Sequence, residues 1–158
     1  MNSFIFLYPI SEIMDFQINN YGGHEDGGVT AFRKKYKKFL NKCIDIRYRR
    51  RGFSINYAIF DGHKISNIIE LRSTDRVLEV GLDFKTHTTK QPDGKHIYPD
   101  QDFILDQLGK IQVIRIAGFH MWDCVDKLAK RAYERGLDTL VDEDLTEFFV
   151  FRLEDDSF

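Results

Sequence analysis

The stretch Ile111-Gln112-Val113-Ile114-Arg115-Ile116-Ala117-Gly118 runs into Phe119-His120-Met121-Trp122-Asp123-Cys124-Val125, and then into a periodic segment that closes at Gly136. Its first eight residues read as an apolar strand broken by a glycine, and Trp122 to Arg135 as an amphipathic helix. A strand that has lost polar alternation is covered on both faces. When a helix and another short strand, around Thr139 to Val141, follow it, the unit is a parallel crossover. The reading is therefore an α/β fold, with three α/β/α layers about a mostly parallel sheet.

Outward from that unit, Phe4 to Ile10 reads as a short strand and Thr30 to Arg50 as a long helix. Gly52 separates this helix from a strand over Phe53 to Phe60. Two further apolar runs, Ile65 to Leu71 and Val77 to Phe84, follow without an intervening helical period, which leaves room for an antiparallel hairpin within 53–84. A loop rich in Thr, Pro, Gly and Lys covers Thr86 to Pro99, and a short helix over Asp100 to Leu108 leads back to the first-quoted strand. No linker, repeat or low-complexity tract divides the chain, so 1–158 is expected to form a single domain.

A chain of 158 residues with 42% hydrophobic and 30% charged residues can bury a core without staples. The two cysteines, Cys43 and Cys124, fall in different predicted helices, so a reduced, cytoplasmic protein is expected. The apolar stretch from Phe4 lacks a basic flank and a cleavage pattern, and no run is long enough to span a bilayer.

A net charge of −2 hides an asymmetry along the chain. Between Arg33 and Arg51 ten basic residues face a single acid, Asp45, while the C-terminal part carries Asp142, Glu143, Asp144, Glu147, Glu154, Asp155 and Asp156. Val29, Phe32, Tyr36, Phe39, Leu40 and Cys43 form one buried stripe on the basic helix, which turns most of its lysines outward. That face reads either as a solvated helix surface or as a surface for nucleic acid or another polyanion. No aromatic-basic motif of a single-strand or RNA binder accompanies it.

Cys124 carries the chemistry. A thiol where a helix begins meets unpartnered backbone N–H groups and the positive end of the aligned peptide dipoles, both of which favour the thiolate. Asp123 is a plausible N-cap whose charge opposes a neighbouring thiolate. The alternative is a small apolar side chain on the buried face of the helix. His120 offers a second route to activation as a base, and Trp122 a wall over the sulfur. His24, with Glu25 and Asp26, reads as exposed in a Gly-rich loop.

Gly118, Cys124-Val125, Ala132, Gly136 and Asp144 together resemble the nucleophile region of the isochorismatase-like cysteine hydrolases, the superfamily that includes nicotinamidases. Met14-Asp15-Phe16-Gln17 resembles that family's aspartate motif at the end of the first strand. Asp61-Gly62-His63 resembles the Asp-x-His metal motif of nicotinamidases. The resemblance implies Cys124 as nucleophile, Asp15 as the carboxylate that takes and returns its proton, a lysine to balance charge, and N–H groups of the turn Trp122 to Cys124 for the oxyanion. Lys85 ends the preceding apolar run, and Lys90 fits the family's distance to the cysteine better. Each is otherwise a solvated loop lysine, and Asp15 is otherwise a surface acid in a helical turn after Pro9.

Asp61 and His63, with His87 as a further candidate, suit a divalent metal such as zinc, iron or manganese. The competing reading makes Asp-Gly a hairpin turn. The resemblance then implies a small hydrolase acting through Cys124 on a compact planar amide, ester-like or vinyl-ether substrate, and it leaves a homo-oligomer open. The contender is a catalytically silent relative or a non-catalytic binding protein that uses the basic helix or the acidic tail, as a toxin-neutralising protein would.

Overall fold

The computed structural model describes residues 1–23 and 26–148. Five strands, β1 (Asn2–Leu7), β2 (Ser54–Ile59), β3 (Arg76–Glu79), β4 (Val113–Gly118) and β5 (Asp138–Thr146), form one sheet in the order β3-β2-β1-β4-β5, and every neighbouring pair is parallel. The central strand β1 lies between β2 and β4, and its residues Phe4 to Leu7 are at most 1% exposed. Such burial on both faces is what an unalternating apolar run demands.

Between β1 and β2 the chain forms α1 (Ser11–Gly22) and α2 (Gly28–Arg47), which pack on each other. The short α3 (Phe84–Thr88) and α4 (Gln101–Gln107) precede β4, and α5 (Asp126–Glu134) carries the chain to β5 and packs on α4. Parallel crossovers are right-handed, so connections that run in opposite directions along the sheet cover opposite faces. The pair α1/α2 therefore lies on one face and α4/α5 on the other, giving the three layers expected from the sequence. The strand order reverses between β1 and β4, and in open parallel sheets the crevice at that point, beyond the carboxyl ends of the strands, is where ligands bind.

Three local readings change. The first strand stops at Leu7, because Tyr8 takes a left-handed backbone (φ 68°) and α1 starts at Ser11, so Asp15 lies inside a helix and not at a strand end. Residues 53–84 form no hairpin: β2 and β3 run parallel, and from 65 to 71 only Ile65 makes a single antiparallel bridge, to Ile10. Strand β5 is longer than its apolar centre, because its pairing with β4 is irregular between Ile116 and Gly118 and extends to Thr146.

Of the stripe read on α2, Phe32, Tyr36 and Leu40 are buried and Val29, Phe39 and Cys43 half-buried, while Ile44, outside that reading, completes the inner face of the helix. Its arginines are largely spent on ion pairs. Arg33 holds Asp15, Arg47 holds Asp142 and Asp144, and Asp45 is shared by Arg49 and Arg50. His24, Glu25 and the acids Glu154, Asp155 and Asp156 lie outside the described residues. Among the described residues no helix is long and apolar enough to cross a membrane.

Candidate functional site

A cavity of about 390 Å³ opens at the switch point. Its walls come from the end of β1 (Tyr8), from α1 (Glu12, Ile13, Phe16, Gln17), from Phe60 after β2, from α3 (Phe84, His87, Thr88), and from the turn after β4 (Phe119, His120, Asp123, Cys124). Five of these side chains are aromatic rings of Phe or Tyr, so the space favours a flat, compact ligand with a few polar groups.

The turn that carries Cys124 starts at Gly118, whose φ is 117° and whose Cα approaches β1 so closely that a Cβ would meet the Leu7 carbonyl oxygen at 2.3 Å. Only glycine permits this approach. The chain then passes through an irregular turn over Met121–Val125, in which Asp123 leaves helical values (φ −128°, ψ −107°), before α5 begins. The backbone N–H groups of Asp123 and Val125 both donate to the carbonyl of His120, at 3.2 and 3.1 Å, so neither serves as an oxyanion donor.

Cys124 lines the cavity but is only 3% exposed. Burial pushes its thiol up to about 12 and Asp123 adds to that, while a hydrogen bond from the Tyr8 hydroxyl and the Lys127 ammonium act in the opposite direction. At this position desolvation outweighs the acidifying effect expected of a helix start.

His87 stands beside the sulfur. A ring nitrogen of His87, a carboxylate oxygen of Asp123 and the Cys124 sulfur all lie within 4.8 Å of one another. The Nδ1 of His87 sits 2.7 Å from the carbonyl oxygen of Ile97, and because a carbonyl only accepts, Nδ1 carries the proton. In the neutral ring Nε2 then holds the free lone pair. The ring stacks on Phe60 at 5.1 Å, and in the loop after α3 Ile97 accepts from the ring while His96 donates to the His87 backbone carbonyl.

Around this centre, the Tyr98 hydroxyl hydrogen-bonds Asp123, and chiefly for that reason its phenol is pushed up to about 12. Lys127 stands 3.5 Å from Asp123 and over the Tyr98 ring at 4.2 Å. On the other side, His120 Nδ1 pairs with Glu147 at 3.0 Å.

Of the residues expected from the sequence, Cys124 and His87 meet at the cavity. Asp15 does not line it; its carboxylate accepts from Arg33. Lys85 and Lys90 are exposed and also do not line it. The lysine beside the sulfur is Lys127, one helical turn further along α5. Asp61 accepts from the Gly81 N–H at 2.9 Å, and His63 pairs with Glu12 at 3.2 Å. Asp61, His63 and His87 therefore do not gather as a metal set. Among the described residues His87, Asp123 and Cys124 have the donor types of a zinc site, but the Lys127 ammonium beside Asp123 opposes a dication there.

Tyr8, Tyr98 and Lys127 went unread. Lys127 was reachable from helical spacing, three residues beyond Cys124. Tyr8 required the parallel register, which sets Leu7 beside Gly118.

Fold and site together define an α/β protein with a cysteine and a histidine in an aromatic cavity at the switch point of a parallel sheet. In a scan of protein-family models none matches the chain, and no curated protein gives a significant match.

Proposed function

We propose that this protein is a small cytoplasmic cysteine hydrolase, related to the isochorismatase-like enzymes, that acts on a compact planar amide or ester-like substrate. The observation that carries the reading is the placement of His87 within 4.8 Å of the Cys124 sulfur, with Nδ1 tied to Ile97. A thiol pushed up to about 12 is a poor nucleophile unaided, so it must lose its proton as it attacks.

His87 Nε2 takes the Cys124 proton while the sulfur bonds to the substrate carbonyl carbon. The protonated His87 returns that proton to the leaving amine or alcohol, and a thioester remains on Cys124. Water, deprotonated by His87, then attacks the thioester, releasing the acid and restoring the thiol. Both cysteines are unpaired, as this chemistry and a reducing compartment require.

A second reading, a ligand-binding relative without turnover, is favoured by the deep burial and high pKa of Cys124. Exposure of the protein to an activated aryl ester separates the two. The hydrolase reading expects an acyl adduct on Cys124 by mass spectrometry, absent from Cys124→Ala. No adduct under conditions where the ester occupies the cavity would leave only the binding reading.

A further inference from the structure

Sharing no lining residue with the cavity described above, a second groove of about 410 Å³ is lined by Lys34, Lys37, Lys38 and Lys42 of α2 and by Glu70 and Arg72 of the facing loop. Lys34, Lys38 and Lys42 recur every four residues, so they stand along one flank of the helix over about 12 Å. Among the described residues none of these three ammonium groups, nor that of Lys37, enters an ion pair. The two acids at the groove are already engaged: Asp45 with Arg49 and Arg50 at 3.2 Å each, and Glu70 with Arg72 at 4.0 Å.

The groove is a built feature, because its two walls are fastened together. Asn41 donates to the carbonyls of Lys37 and Ile68, both at 2.7 Å, and accepts from the Glu70 N–H at 2.9 Å. That one side chain holds the loop at a fixed distance from the helix, and the lysines converge on the space between. In a protein of net charge −2, four unpaired ammonium groups on one concavity are a local excess of positive charge that favours an anionic ligand.

We propose that this groove binds a compact linear polyphosphate group, the size of a di- or triphosphate. Phosphate oxygens spread over two or three linked groups match ammonium donors arrayed along a helix, each contact being a charge-assisted hydrogen bond. Among the described residues no aromatic side chain lines the groove, which leaves no platform there on which a base could stack, and recognition rests on phosphate. A nucleic acid is the poorer fit: Arg33, Arg47, Arg49 and Arg50, which would extend the basic surface along the helix, are committed to internal ion pairs.

The test is titration calorimetry of the full chain with inorganic tripolyphosphate, a nucleoside triphosphate and a single-stranded oligonucleotide, in low salt without divalent cations. Saturable 1:1 binding of tripolyphosphate is expected, roughly tenfold or more weaker in the Lys34→Gln/Lys38→Gln/Lys42→Gln variant and unchanged in Lys110→Gln, an exposed lysine away from the groove. The nucleoside triphosphate should bind with comparable affinity, and a markedly tighter value would make the nucleotide the source of the phosphates at the same site. Circular dichroism of the triple variant checks that its fold is kept. Absence of saturable tripolyphosphate binding, equal loss in Lys110→Gln, or preference for the oligonucleotide would each overturn the proposal.

Discussion

His87 donates its Nδ1 proton to the carbonyl oxygen of Ile97 at 2.7 Å, and that bond fixes which nitrogen is free to work. With Nε2 unprotonated in the neutral ring, the imidazole beside Cys124 has a lone pair free to accept a proton, the role proposed for it. Replacing it, as in His87→Ala, is expected to lower kcat/KM for an activated aryl ester by about 10²- to 10⁴-fold, the usual worth of a positioned base. Steady-state hydrolysis checks this, and an unchanged rate would remove His87 from the mechanism.

Tyr8 makes a subtler contribution. Its hydroxyl hydrogen-bonds the Cys124 sulfur and is one of two influences that pull the thiol down against burial. In Tyr8→Phe the thiol therefore rises further. Alkylation of Cys124 should slow severalfold at fixed pH, and its pH profile should move to higher pH. The aromatic stack of residue 8 on Phe60, at 4.2 Å, survives the change, so thermal stability should alter little. A profile that stays in place would show that the hydroxyl does not touch thiolate formation.

Local periodicity made much of this fold legible. The inner face of α2, the strand before Gly118 and the glycine break itself are all short-range patterns, and they reappear as Phe32, Tyr36 and Leu40 inside and as Val113–Gly118. Long-range pairing is not encoded that way. Asp61-Gly62 has the chemistry of a hairpin turn, yet β3 joins β2 in parallel after a loop, and it is only four residues long with Val77 41% exposed. The site suffered most. Nothing in the 36 intervening residues says that His87 will reach Cys124, and of the two readings of Asp15 the helical turn after Pro9 is the one that holds, with Arg33 as a partner that local spacing does not indicate.

Alkaline pH should weaken the fold in a way that Cys124 controls in part. Burial holds its thiol at about 12, above the ordinary value of 9.0, so the folded state keeps a proton that the unfolded chain has lost. The unfolded state binds fewer protons between these limits, which makes stability fall as pH rises from about 9 towards 12. The contribution is complete below pH 9. Tyr36, Tyr48 and Tyr57, all pushed above the ordinary phenol range mainly by burial, act in the same direction from about pH 10 upward. Urea midpoints from pH 8 to 11 should decline less steeply for Cys124→Ser than for the parent protein. Identical slopes would mean that the thiol titrates normally in the folded state.

Gly118 couples the fold to the site. A methyl group there would fall 2.3 Å from the Leu7 carbonyl oxygen and 2.6 Å from the Leu7 nitrogen, both backbone atoms of the central strand, on a backbone with φ 117°. Neither strand can yield without breaking the β1–β4 register that ends at this pair. Gly118→Ala is expected to cost more than about 4 kcal/mol, in the range where single changes unfold domains of this size. Expression with a native far-ultraviolet spectrum and a melting temperature near the parent's would contradict the close approach.

The pair Arg49–Asp75 gives a separate measure of what holds the parallel edge. Asp75 has a fully buried side chain and accepts from Arg49 Nη2 at 2.7 Å and from the Arg72 N–H at 3.0 Å, which ties the turn after α2 to the entry of β3. Removing one partner strands a mostly buried charge, and Asp75→Ala should destabilise by about 3 kcal/mol, whereas replacing both by apolar residues removes the desolvation cost as well as the attraction. Arg49→Leu/Asp75→Leu should therefore lose less stability than the sum of its single changes, measured as a double-mutant cycle in urea. Strict additivity would show that the two side chains are energetically independent despite their contact.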